Sequence, residues 1–214
     1  QFPRVSADER PDMPAQLRRI LLALHIAVSV GWIGSVAAFL SLALLGRTSA
    51  DAVAVVSAYV AMNTVSLCVV TPLSIAALLS GILMALATPW GLFKHYWVMS
   101  KLTITLLAAA LLMLHQFSAV AVAAAQVRAS TEALPSAGRL GLHLIVDASL
   151  AVTSLLIVVA IAVFKPRGLT TLGRRGQTAQ TIGGPGRWGF LAALASVVVL
   201  FFVMHATGMT AANH

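Results

Sequence analysis

The chain alternates between long apolar stretches and short basic ones. Residues 20–46, 52–93, 102–127 and 188–214 contain no Asp, Glu, Lys or Arg, and residues 140–164 contain only Asp147. Each stretch exceeds the ~20 apolar residues that carry a helix across a ~30 Å hydrocarbon layer. Lipid offers backbone amides no partner, so such segments are satisfied only as helices or in a closed barrel. A barrel needs short alternating strands, which long apolar runs do not supply. The pattern therefore predicts an all-α integral membrane bundle of five transmembrane helices, at about 17–45, 52–87, 98–126, 141–164 and 188–208.

Local signals set the expected boundaries. Gly46 closes the first span. The second stretch is too long for one perpendicular crossing and too short for two crossings with a turn, at 1.5 Å rise per residue. It reads as one long helix, tilted or interfacial in its first part, with a potential kink at Pro72. Pro89, Trp90 and Gly91 end it. Lys94, His95, Tyr96, Trp97 and Lys101 then form a short aromatic and basic connection typical of a membrane interface. A polar loop with Arg128, Glu132, Pro135 and Arg139 precedes the fourth span. Residues 165–187, rich in Gly, Thr and Arg, read as a mobile loop, with tails at 1–16 and 209–214. The first apolar stretch is longer than a signal-peptide core, and no small-residue cleavage pattern closes it.

Composition agrees with this picture. Apolar residues make up 59% and charged residues 9%, against about 45–50% and about 25% in soluble domains. The net charge of +8 does not point to nucleic acid, because the bases sit in short segments beside the spans. With five spans, Arg4, Arg10, Arg18, Arg19, Lys94, Lys101, Lys165, Arg167, Arg174, Arg175 and Arg187 fall on one side, and Arg47, Arg128 and Arg139 on the other. That asymmetry places the N-terminus in the cytoplasm and the C-terminus outside, in a bacterial-type cytoplasmic (inner) membrane. Six spans, obtained by dividing 52–93, would put the arginine-rich 165–187 segment outside. The single cysteine, Cys68, rules out a disulfide within the chain and reads as a small core side chain.

Chemistry in such a protein is expected where polar groups enter the bilayer, because an ionisable side chain at mid-membrane costs ~2.5–3.5 kcal/mol on insertion scales. His25, His115, His143 and His205 fall within predicted spans, and Asp147 is the only acid there. Counting turns puts His25 near the cytoplasmic end of the first span and His115 past the middle of the third. His143 and His205 fall near the outer face, so His115, His143 and His205 can approach one another in the outer leaflet. Imidazole ligates haem iron, copper and zinc. Asp147 is placed i, i+4 from His143 to orient its ring. Met113 and Met204 lie beside His115 and His205 and add thioethers suited to Cu(I).

Each feature also has a plainer reading. Interfacial histidines anchor helices or donate hydrogen bonds between them, and methionines fill cores. His95, between aromatic residues, reads as an interface residue. Gly31, Gly34 and Ser35, with Ser29 and Trp32 near the side of His25, form a small-residue face that suits packing as well as a pocket. Gly183, Gly184 and Gly186 lack a nucleotide loop's strand, helix and lysine. With one acid in the spans, no paired-carboxylate or serine–histidine–acid arrangement arises.

The segment LRRILLALHIAVSVGWIGSVAAFLSLAL, 17–44, resembles the first helix of the CopD-like copper-resistance membrane domains and their bacterial relatives. In those, a histidine is followed by a Trp-small-Gly element, here His25, Trp32 and Gly34. The segment TPWGLFKHYWVMSKLTITLLAAALLMLH, 88–115, resembles their later helix opened by a lysine, here Lys101. The same order is similar to the HemJ-type protoporphyrinogen oxidases, small helical membrane proteins associated with b-type haem. The resemblance covers roughly 17–120. It implies His25 as a haem or metal ligand and Lys101 as an interface or substrate-side cation; His143, Asp147 and His205 match neither pattern. The leading expectation is a redox or metal-handling protein holding haem b, or copper, through some of the four histidines. The alternatives are an accessory or scaffold subunit packed against other membrane proteins or a second copy, and a small-molecule or ion transporter.

Overall fold

A computed structural model describes residues 14–87, 92–93, 95–115 and 134–164. Its long elements are all helical: α1, Ala15–Thr48; α2, Ala52–Leu86; α3, Tyr96–His115; and α4, Leu134–Phe164. Three helical segments are long and apolar enough to cross a membrane, Ala15–Thr48, Ala52–Leu86 and Gly141–Phe164. The predicted fifth span, the 165–187 loop, Lys94 and the 116–126 end of the third span lie outside the described residues.

The bundle grows from the α1–α2 hairpin. Only Ser49, Ala50 and Asp51 separate the two helices, so α2 must fold back antiparallel along α1. Asp51 caps α2 by accepting the Val53 N–H at 3.0 Å, and Ser49 Oγ accepts the Asp51 N–H at 3.1 Å. Both bonds satisfy donors that the start of a helix leaves free. α4 packs along α1 on another side, and α3 closes the arrangement against α4 and the second half of α2.

The interior is built from two clusters. One joins Ala43, Val55, Tyr59, Met62 and Leu144, and the other joins Trp32, Val36, Val70, Ala77, Ala109 and Leu155. The distribution of polarity is the reverse of a soluble core. Large apolar side chains such as Ile20, Val30, Leu79, Leu83, Val163 and Phe164 face outward, whereas the buried polar residues described are all serines: Ser35, Ser66, Ser74, Ser80, Ser100 and Ser154. Ser35, Ser74, Ser80 and Ser100 donate to carbonyls three or four residues back on their own helix. A hydroxyl satisfied in this way lets helices approach closely without leaving a polar group bare.

Some of the expected local features are corrected or refined. Gly46 does not close the first span; the helix continues to Thr48, and Gly46 instead leaves room for Tyr59, whose Cε2 would lie 3.2 Å from a Cβ there. The long second helix is continuous, but Pro72 is met by a π-turn over Ser66–Val70, in which the Thr71 N–H reaches the Ser66 carbonyl. Proline cannot donate to the carbonyl four residues back and would crowd it, and widening the preceding turn relieves both problems. Cys68, on that turn, is exposed on the outer surface rather than in the core. Finally, Pro135 and Arg139 belong to the first turns of α4, and Tyr96 and Trp97 open α3. Proline is tolerated in a first turn because its missing N–H has no partner to lose there.

Tyr59 is held in a notch of two glycines. On its far side a Cβ at Gly141 would sit 2.8 Å from the Tyr59 hydroxyl, closer than real contacts allow. Gly141→Ala is therefore expected to destabilise the detergent-solubilised protein by about 1–3 kcal/mol, as overpacking does. In a Tyr59→Phe background, which removes the clashing atom, most of that loss should disappear; equal losses in both backgrounds would refute the notch. Unfolding midpoints measure both.

Candidate functional site: the His25 corner

His25 lies on α1 where α2 comes close. Its half-buried ring rests on α2, with Nδ1 2.9 Å from Ser80 Oγ. Ser80 Oγ in turn donates to the Ala76 carbonyl at 2.6 Å and lies 3.2 Å from the Ala77 carbonyl. The next residue, Gly81, makes this approach possible: a Cβ there would stand 3.2 Å from His25 Cε1. From α3, the Lys101 charge acts on the imidazole. Lys101 Nζ also lies 5.3 Å from the centre of the Trp97 ring, in cation–π range. The site thus combines a fixed imidazole, a hydroxyl, an opening left by a glycine and a cation at one end of the bundle.

The other predicted residues fall elsewhere. Gly141, two residues before His143, faces Arg47 on α1. Arg47 is 22 positions beyond His25 on the same helix, ~33 Å along the axis at 1.5 Å per residue. His25 and His143 therefore stand at opposite ends and cannot share one guest atom. Asp147 is half-buried one turn after His143 and is engaged in an interaction of its own. The α3 backbone carries Met113 and His115 at the end of that helix away from Lys101. Met204 and His205 lie outside the described residues. Among the described residues, no group of three or more His, Cys, Asp or Glu side chains is placed to hold a metal ion.

Trp32 is buried in the central cluster, two turns along α1 from His25 rather than beside it. Its Nε1–H has no hydrogen-bond partner among the described residues, and neither does Thr71 Oγ1. A buried polar atom left in this state costs about 1–3 kcal/mol. Of the small-residue face, Gly31 packs on Leu73 at 3.4 Å and Ser35 is buried, while Gly34 faces open space.

Sequence reasoning missed Ser80 and Gly81. A Ser-Gly pair in an apolar run looks like helix filler, and its partner lies 55 positions away. The signal available was indirect: in an antiparallel hairpin with a three-residue turn, the register that sets Gly31 on Leu73 also brings His25 to Ser80. No family model, curated protein or solved structure matches the chain.

Two glycines, Gly81 against His25 and Gly34 farther along α1, provide a test of this geometry. Gly81→Val should push the imidazole off Ser80 and lower the unfolding midpoint. Gly34→Ala, with nothing within 4 Å of the new Cβ, should be neutral or stabilising by up to ~1 kcal/mol through helix propensity. Equal behaviour of the two variants would contradict the placement of His25.

Proposed function

We propose that this chain is a multi-pass protein of a bacterial-type cytoplasmic membrane that holds b-type haem through His25 and serves one-electron redox chemistry. In this reading it has five spans, a cytoplasmic N-terminus and an outside C-terminus, and it works beside other membrane subunits or a second copy of itself. The observation that carries the reading is the imidazole of His25, fixed through Nδ1 by Ser80, which leaves Nε2 as the nitrogen for a guest. A histidine held by an outer partner on one nitrogen is how proteins prepare the other for iron.

Lys101 favours haem over copper in this reading. Haem b carries two carboxylates, and a lysine ammonium at the same end of the bundle as the ligand histidine suits a carboxylate, whereas it disfavours a bare copper ion. The donor set fits haem in this respect: His25 would hold the iron and Lys101 would pair with a carboxylate. The unpartnered Trp32 N–H and Thr71 hydroxyl add two polar atoms in the bundle that a bound group with hydrogen-bonding edges would satisfy. When bound, haem supplies one-electron exchange at its iron. The chain orients the ring of His25, neutralises a carboxylate at Lys101, and surrounds the site with apolar helices that limit water. The likeness of 17–120 to CopD-like and HemJ-type proteins points the same way.

Two measurements test the proposal. Detergent-purified protein should show a Soret band and a reduced-minus-oxidised difference spectrum, both lost in His25→Ala and retained in His143→Ala. A colourless preparation that copurifies with stoichiometric membrane partners would favour the scaffold reading instead. For topology, a reporter active only outside the cytoplasm should be active when fused after His214 and inactive when fused within 165–187; the reverse pattern would overturn the five-span arrangement.

A further inference from the structure

We propose that Ser80 is a positioning residue that fixes the tautomer of His25, keeping the proton on Nδ1 and presenting Nε2 to the guest as a lone pair. Ser80 Oγ lies 2.6 Å from the Ala76 carbonyl, a short O–H···O separation, and the Ala77 carbonyl at 3.2 Å is a second acceptor on the same side. A serine has one proton to give, and carbonyls accept only. With that proton directed to the α2 backbone, Oγ meets Nδ1 at 2.9 Å through a lone pair. An unprotonated Nδ1 would set two lone pairs against each other in a medium that screens them poorly. Nδ1 therefore donates to Oγ, and the chain of bonds runs His25 Nδ1–H to Ser80 Oγ–H to the Ala76 carbonyl.

The neutral ring has one proton, so Nε2 carries none. Gly81 keeps the ring against this relay, since a Cβ would stand 3.2 Å from Cε1, the carbon between the two nitrogens. Ser80 is thus more than a packing residue, because a carbon side chain of similar size would remove the hydroxyl oxygen that receives the Nδ1 proton. The bond to Nδ1 also makes Nε2 the more electron-donating ligand. That the guest is haem iron rests on the function proposed above, whereas the tautomer is a property of the chain alone.

Both levels are tested on the full-length chain in detergent. Without cofactor, long-range proton–nitrogen correlation spectra of histidine-labelled protein, with His25 identified by its loss in His25→Gln, should show a protonated Nδ1 and a bare Nε2. Ser80→Ala should yield a mixture of tautomers or the Nε2–H form, and Ser80→Thr, which keeps the hydroxyl, should restore the wild-type pattern. A wild-type Nε2–H tautomer, or a Ser80→Ala spectrum like wild type, would overturn the proposal. After loading with haemin, Ser80→Ala should keep its Soret occupancy while its midpoint potential moves positive. An unchanged potential would overturn the role of Ser80 toward iron. Failure of haemin to bind any variant would remove the haem reading and leave the tautomer result standing.

Discussion

Lipid supplies no hydrogen bonds, so every polar atom within this bundle has to find its partner inside the protein. The described helices meet that demand locally wherever they can. The buried serines whose bonds are described return their protons to their own backbone. Pro72, which deprives a carbonyl of its donor, is preceded by a π-turn that re-routes the ladder. Two helix-start donors in the 49–51 turn region go to Ser49 and Asp51 side chains. Local satisfaction frees the helix faces to pack through small residues, with the large apolar side chains turned outward.

Against that background the exceptions carry the functional content. His25 is bonded through its ring to a buried hydroxyl of another helix. It does so at the end of the bundle where Lys101 and Trp97 bring a cation and an aromatic face. Trp32 Nε1 and Thr71 Oγ1 have no hydrogen-bond partner among the described residues. Such atoms cost stability unless something else meets them. We propose that this site, with one imidazole nitrogen fixed and a cation at the same end of the bundle, takes a ligand that joins a metal to carboxylates.

Much of the scaffold was legible in the residue pattern and much of the site was not. Apolar run lengths located α1, α2 and α4 and showed that 52–87 is one helix, because hydrocarbon thickness and helix rise leave few choices. Gly46 misled because a breaker that ends helices in isolation here makes room for Tyr59, whereas the disturbance expected at Pro72 is met by a wider turn. The apolar Cys68 gave no sign of which face it would occupy. His25 could be singled out from its cost in lipid, but its partner could not, since Ser80 and Gly81 gain meaning only once the hairpin register sets them opposite the ring. Counting turns placed His25 and His143 near opposite faces, and the contact of Gly141 with Arg47 gives that separation a concrete scale.

The central claim, that His25 offers Nε2 to haem iron, is tested most directly by emptying the position and refilling it from solution. In His25→Gly the haem spectrum should vanish, and free imidazole added to the purified protein should restore it by occupying the vacated place. Retention of a full Soret band in His25→Gly without imidazole would contradict the account.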